Sequence, residues 1–414
     1  MSKWIKISLA IMLVFAMTPL ASVSAQAITD CTFSGSHSNG ATYCITMPTP
    51  PPFELWNHDL MIYAHGYVAP TAPLEIPWSQ MTFSNGAGGT ITLPFLVNNM
   101  GFAFATTSYS ENGLAVKQGV ADILDLISVF KMKVGTPNHI YLVGASEGGL
   151  VTTLAMERHP DSFSGGMELC GPVGSFTSQV NYWGDFRVVY DYLMDTPEFD
   201  VLPGNAVNIP KSLMMKWDSI YVPRIITTLE SNPASAFQLL NVTGAPIDPT
   251  IPKTVGETTI GILWYNAFAT NDAIDKLGGQ PFDNRDRQYS GSINDAMLNA
   301  GVKRFRASET ALAEIAANYE TSGILTKPLV AMHTSGDPIV PAWHLTQYSN
   351  KVFGSNPLTP FAPVLIQRYG HCSFTLPEVL GGFSTLVKMV LGAPVFAPSL
   401  LDRSVDSGAY LLNK

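Results

Sequence analysis

Gly144-Ala145-Ser146-Glu147-Gly148 follows the run His139-Ile-Tyr-Leu-Val143 and precedes a stretch, 150–158, with helical character. The first flank is β-branched and aromatic, the composition of a buried parallel strand. Passing from strand to helix within five residues demands a tight turn. Without β-carbons at Gly144, Gly148 and Gly149, strand and helix can run close together, and the turn is predicted to hold Ser146 in a strained backbone conformation with its Oγ pointing out of the sheet. Small residues around a serine are common, so the pattern gains weight only from the rest of the chain.

Two further segments supply it. Asp337 lies in Ser335-Gly-Asp-Pro-Ile-Val-Pro341, just after the apolar strand candidate Leu329-Val-Ala-Met-His333. His371 lies in Arg368-Tyr-Gly-His-Cys372, just after Val364-Leu-Ile-Gln367. Each sits where a strand ends, and side chains from the C-terminal ends of separate parallel strands converge above the sheet. A serine hydroxyl is a weak nucleophile until an imidazole takes its proton, which assigns His371 as general base and then general acid, with Asp337 fixing its tautomer. His333, inside a strand candidate, and His344, opening a helix, read as structural; His37, His58, His139 and His159 fall outside the constellation.

The order Ser, Asp, His, each in a strand-end turn, resembles the α/β-hydrolase superfamily from about residue 59 to about 388, with the middle of the chain uncovered. Asp59-Leu-Met-Ile-Tyr-Ala-His65-Gly66-Tyr67 looks like the strand of that fold that runs into its oxyanion loop. The resemblance implies a mostly parallel central sheet flanked by helices, with backbone N–H groups of Tyr67 and Glu147 holding the developing oxyanion. It implies no cofactor. No His-Glu-x-x-His, Cys-x-x-Cys, calcium loop or nucleotide-binding glycine signature is present, so no metal is expected; Asn85-Gly-Ala-Gly-Gly89 reads as a flexible loop.

Residues 1–27 carry Lys3 and Lys6, an apolar core and a small-residue end at Val23-Ser-Ala25-Gln-Ala27, the pattern of a secretory signal peptide. The apolar core is shorter than the roughly 20 residues that span a bilayer, so no membrane span is expected. The product would be secreted or periplasmic. A formal net charge of −9 argues against nucleic acid as a partner, and loss of Lys3 and Lys6 makes it more negative. Four cysteines in an exported chain point to two disulfides, for which three pairings exist. Cys31 and Cys44 flank a Gly/Ser/Asn-rich loop and favour a local bridge, leaving Cys170 and Cys372 near the proposed catalytic rim; two free buried thiols are the alternative for the latter pair.

The separation of Ser146 from Asp337 exceeds what strand-helix-strand units need. We read the chain as a hydrolase core in two parts, 28–173 and 321–414, interrupted after the sixth strand by a largely helical cap over 174–320, with helices expected around 183–194, 212–229, 258–269 and 309–319. The cap is rich in aromatics, among them Trp183, Tyr190, Trp217, Trp264, Tyr265 and Phe268. Most of these are expected to pack the cap, with some facing the cleft, and Trp343 is a further candidate wall. A pocket so lined favours apolar or aromatic esters, small or polymeric. A serine exopeptidase is the alternative, with Asp185, Asp191, Asp195 and Glu198 as candidates to hold a substrate ammonium. A non-catalytic protein on the same fold would be expected to lack one of the three catalytic residues, and none is missing.

Overall fold

A computed structural model describes residues 30–48, 55–84, 89–194 and 202–393. The leader at 1–27, the glycines of 85–88 and the carboxylates Asp195 and Glu198 lie outside the described residues.

Eight strands form the central sheet: β1 (Phe33–Ser36), β2 (Thr42–Thr46), β3 (Asp59–Ala64), β6 (Ala103–Thr107), β7 (His139–Ala145), β8 (Gly165–Leu169), β9 (Leu329–Gly336) and β10 (Phe361–Tyr369). A small hairpin, β4 (Thr82–Ser84) with β5 (Thr90–Thr92), stands apart. The spatial order is β1-β2-β6-β3-β7-β8-β9-β10; β1–β2 and β2–β6 are antiparallel and the remaining pairs parallel. This is the α/β-hydrolase fold expected from the sequence. All strand residues of β6 and β8 are buried, as helices on both faces of a parallel sheet require.

Strand alternation sorts the core into two layers. Leu60, Ile62 and Ala64 of β3 join Ile140 and Leu142 of β7 on one face, against α2 (Val116–Lys133), α3 (Glu147–Arg158) and α11 (Trp343–Ser355). Met61 and Tyr63 join Tyr141 and Val143 on the other, where α1 (Leu93–Asn99) and α12 (Leu376–Val390) pack.

Between β8, the sixth strand of this sheet in chain order, and β9 lie α4 (Phe176–Met194), α5 (Lys211–Met215), α6 (Val222–Ser231), α7 (Pro233–Thr243), α8 (Thr254–Lys276), α9 (Asp295–Gly301) and α10 (Glu309–Asn318). Much of this segment has its own apolar cluster, in which Phe186, Leu213, Trp217, Ile225, Leu239 and Ile262 are buried. The helix expected over 212–229 is broken into α5, a π-helical turn at Trp217–Tyr221 and α6. Pro223 is the cause we assign: lacking an N–H, it fits the first turn of a helix but not its interior. The sequence reading missed α7, which starts at Pro233 for the same reason.

Glu168 of β8 is buried, with Oε2 accepting from the Gly171 N–H at 2.9 Å and Oε1 without a partner among the described residues. Burial pushes its carboxyl up to about 8. Folding therefore retains a proton that the unfolded chain, near its ordinary 4.5, has released. The associated stability is fully present below that value and lost as pH rises through the folded value, with a slope of at most about 1.4 kcal/mol per pH unit. Glu168→Gln keeps the acceptor for Gly171 and cannot ionise. Its stability relative to the parent should rise steadily between about pH 5 and pH 8 in urea titrations; a difference independent of pH would show that Glu168 is already ionised in the folded protein.

Candidate active site

Ser146 occupies the turn between β7 and α3 with φ 57° and ψ −122°. Two close approaches enforce this. A Cβ on Gly144 would collide with the Gly148 carbonyl oxygen, and one on Gly148 with the Ala64 carbonyl oxygen of β3. Non-glycine residues rarely adopt positive φ, so the conformation persists only because the surroundings over-determine it. The Ser146 N–H donates to the Leu169 carbonyl at 2.8 Å, tying the turn to the end of β8.

The structure brings the three sequence-predicted side chains together. His371 Nε2 is 2.9 Å from Ser146 Oγ, and His371 Nδ1 is 2.7 Å from Asp337 Oδ2. With Nδ1–H donating to the carboxylate, Nε2 presents its lone pair to the serine hydroxyl. Asp337 is fully buried, and its Oδ1 accepts from the N–H groups of Ile339 and Val340 at 2.9 and 3.0 Å. Three side chains of α4 hold that loop by its backbone: Gln179 and Trp183 donate to the Ile339 carbonyl at 2.9 and 3.1 Å, and Tyr182 to the Pro338 carbonyl at 2.8 Å.

The His371 loop is fixed from several sides. Arg368 pairs with both oxygens of Glu378 at 2.7 and 3.0 Å, and Glu378 completes a capping box with Thr375 at the start of α12. Gly370, at φ 108°, donates to the Gly336 carbonyl. Cys372 is bonded to Cys170, with 5.5 Å between Cα atoms, and Cys31 to Cys44. Cys170 and Cys372 both have positive φ, at 49° and 51°.

Tyr67 and Glu147 line the same cleft as Ser146. The Tyr67 loop is anchored by Gln80, whose Oε1 accepts from the Gly66 N–H at 2.7 Å and whose Nε2 donates to the Tyr67 carbonyl at 3.2 Å. His65 stacks on Tyr109 with centroids 3.8 Å apart. The Glu147 carboxyl is buried, accepts from the Ala115 N–H at 2.8 Å and is pushed up to about 8 by burial, so it is protonated near neutral pH.

The cleft is walled by apolar groups from both the core and the inserted segment, notably Leu150, Phe176, Val180, Trp183, Tyr265 and Ile339. Trp343 takes another place: it stacks on His344 at 3.8 Å and packs with the inserted helices. Two further histidines near the site, His344 and His333, are committed elsewhere. His344 accepts from the Gly174 N–H at 3.0 Å and, through Nε2, donates to Gln179 at 2.7 Å; His333 Nε2 lies 2.7 Å from the Val340 carbonyl. Asp185 binds the Tyr289 hydroxyl at 2.6 Å and Arg287 at 3.3 Å, and Asp191 pairs with Arg187 at 2.6 Å. Sequence reasoning missed Gln80, Gln179 and Tyr182. Their partners are backbone carbonyl and N–H groups of remote loops, which leave no signature in the chain.

No protein-family model and no curated protein sequence matches this chain. Among solved structures it is similar to feruloyl esterase B from Aspergillus oryzae, with 14% identity, 88% of this chain and 82% of that one covered, and a TM-score of 0.44. It is also similar to Candida antarctica lipase A in its closed state, with 14% identity, coverage of 88% and 78%, and a TM-score of 0.43. Against Pyrococcus horikoshii acylaminoacyl peptidase the identity is 11% and the TM-score 0.38; 82% of this chain is covered but only 37% of the peptidase. Similarity at this level leaves the chemistry to be argued from the site.

The two disulfides should separate stability from turnover. They close loops of 13 and 202 residues, for which chain entropy alone gives about 3 and about 5 kcal/mol. Misplacing a general base costs on the order of a hundredfold in rate. Cys170→Ala/Cys372→Ala should therefore lower kcat far more than Cys31→Ala/Cys44→Ala, measured at a temperature where circular dichroism shows both variants folded.

Proposed function

We propose that this protein is a serine hydrolase that cleaves carboxylic esters of apolar or aromatic acyl groups through an acyl-enzyme. The observation that carries the reading is the continuous hydrogen-bonded chain from Ser146 through His371 to the buried Asp337. In this mechanism Oγ bonds to the ester carbonyl carbon as its proton passes to His371 Nε2, and the carbonyl π pair moves onto oxygen. Collapse of that intermediate expels the alcohol, which takes the proton from His371; water then repeats the sequence on the acyl-enzyme. The N–H groups of Tyr67 and Glu147 are the proposed oxyanion donors, each worth roughly a hundred- to thousandfold in rate.

The segment 174–320 acts in this reading as a cap, since Phe176, Val180, Trp183 and Tyr265 wall the cleft. The apolar lining favours an uncharged acyl group. An exopeptidase would need a free carboxylate facing the cleft; among the described residues, the candidates Asp185 and Asp191 are engaged with arginine and tyrosine partners, and Glu147 keeps its proton. These commitments favour the ester. With residues 1–27 read as a leader and two disulfides present, we place the enzyme outside the cytoplasm; among the described residues no helix is long and apolar enough to cross a membrane.

Ser146→Ala should lower kcat on p-nitrophenyl butyrate and benzoate at least about 10⁴-fold without loss of folding. Wild-type turnover in that variant would refute the assignment. The parent should cleave these esters in preference to aminoacyl p-nitroanilides; the reverse order of kcat/KM would move the assignment to an exopeptidase.

A further inference from the structure

The loop that carries Asp337 has three successive backbone carbonyls held by side chains. Pro338 accepts from the Tyr182 hydroxyl, Ile339 from Gln179 and Trp183, and Val340 from His333. The Ile339 carbonyl and the Val340 N–H belong to one planar peptide, and that N–H donates to Asp337 Oδ1 at 3.0 Å. Gln179 therefore grips one end of a rigid unit whose other end holds the proposed acid. Asp337 Oδ2 is left to His371 Nδ1, 2.7 Å away.

A second histidine settles which way the Gln179 amide points. His344, on α11, is fully buried, and its Nδ1 lies 3.0 Å from the Gly174 nitrogen and 3.5 Å from the Ser175 nitrogen. A backbone N–H can only donate, so Nδ1 is the acceptor and the ring proton sits on Nε2. Nε2 is 2.7 Å from Gln179 Oε1 and donates to it. The amide then presents its N–H group to the Ile339 carbonyl at 2.9 Å. Flipped, it would set donor against donor at His344 and acceptor against acceptor at Ile339. Every donor from Gly174 to Val340 thus points toward Asp337 Oδ1, while on the other side Ser146 Oγ–H and His371 Nδ1–H point toward Oδ2. Two hydrogen-bonded chains converge on one buried carboxylate. Burial keeps His344 well below its ordinary value, so the ring stays neutral, as its acceptor role at Gly174 requires.

We propose that His344 and Gln179 form a positioning relay: the 174–175 backbone selects the imidazole tautomer, the imidazole orients the amide, and the amide holds the 339–340 peptide so that Asp337 Oδ2 stays on His371. The proposal rests on the acyl-enzyme reading above, in which His371 gains a proton as Oγ attacks and Asp337 stabilises the imidazolium. Neither relay residue touches the reacting atoms or transfers a proton. Gln179 lies on the inserted helix α4 and His344 on α11, past β9, so the strength of the general base depends on how α4 is seated. The other titratable groups bearing on Asp337 and His344 are His333 of β9, Tyr182 of α4, Tyr265 of α8, Tyr369 of β10 and Lys351 of α11. Burial lowers His333 and raises the three phenols, and Glu147, pushed up to about 8, acts on the alkaline side. The acid limb of a pH–rate profile therefore reports the His371–Asp337 pair.

Two substitutions break the relay at different steps. Gln179→Met keeps the side-chain length without a donor, and His344→Phe keeps a ring against Trp343 but leaves the amide unoriented. On p-nitrophenyl butyrate each should lower kcat about 5- to 50-fold with KM changed by less than about threefold. Each should also move the acid limb of the kcat/KM profile to lower pH by about 0.3 to 1 unit, because a displaced carboxylate stabilises the imidazolium less. Gln179→Glu is the rescue: as a carboxylic acid it can accept from His344 and donate to Ile339, so its kcat should match the parent's at about pH 5 and fall below it as pH rises toward about 9. An unmoved acid limb, whatever the melting temperature, would reduce both residues to packing; a raised KM with unchanged kcat would make Gln179 a wall of the cleft; a limb moved to higher pH would mean that the relay weakens the acid. Each of these results overturns the proposal. If neither relay-breaking variant folds, Gln179→Glu decides alone, and a kcat in constant ratio to the parent's across that range overturns the relay. If Ser146→Ala retains turnover, the acyl-enzyme reading itself has failed; if Ser146→Ala is inactive and Gln179→Met keeps the parent's kcat and profile, only the relay has.

Discussion

The approach of α3 to β3 and β7 at Gly144 and Gly148 is the constraint on which the site depends. Strand and helix are so close there that a β-carbon at either position would meet a backbone carbonyl. The chain can turn in that space only by putting Ser146 at positive φ, which projects its side chain beyond the strand end. Everything else at the site is placed relative to that point. The Leu169 carbonyl receives the Ser146 N–H, so β8 ends where the turn begins, and the disulfide loop that starts at Cys170 starts from a fixed position.

The three loops above the sheet are held by different means, and the difference has a physical basis. The histidine loop is tied covalently and by the Arg368–Glu378 pair, interactions that keep a flexible turn in register with the strand that precedes it. The Tyr67 loop is held by the amide of Gln80, which satisfies both an N–H and a carbonyl of the loop. The Asp337 loop is held from outside the core, by Gln179, Tyr182 and Trp183 of α4. Buried polar backbone must find partners, and here the partners come from the inserted helices. The insertion is thus part of the support of the proposed acid as well as a wall of the cleft, and its removal would leave the Pro338 and Ile339 carbonyls without these donors.

Buried carboxyls near the elbow have a common electrostatic consequence. Glu147 and Glu168 flank the strand-to-helix turn, each accepting one backbone N–H, and burial raises both to about 8. Near neutral pH they are hydrogen-bonding groups and not charges, so they can brace the turn without placing negative charge beside the proposed oxyanion site.

The parallel strands, the turn around Ser146 and the strand-end positions of Asp337 and His371 were legible in the sequence, because each is a local pattern: an apolar run, glycines where backbone must approach, a turn immediately after a strand. The chain order of the three residues then restricted how they could meet. The small proline-started helices at Val222–Ser231 and Pro233–Thr243 were blurred or missed, since a proline reads as a break whether it ends a helix or opens one. Which aromatics face the cleft was beyond local reading: Trp183 and Tyr265 do, whereas Trp343 stacks on His344. Nor could any spacing reveal that Gln179, 160 positions away, holds the Ile339 carbonyl. Local periodicity records which face of an element is buried, and that the sequence determined. Which remote side chain satisfies which loop is decided only when the insertion packs on the core, because any donor of the right reach would serve and the chain carries no mark of the one that does.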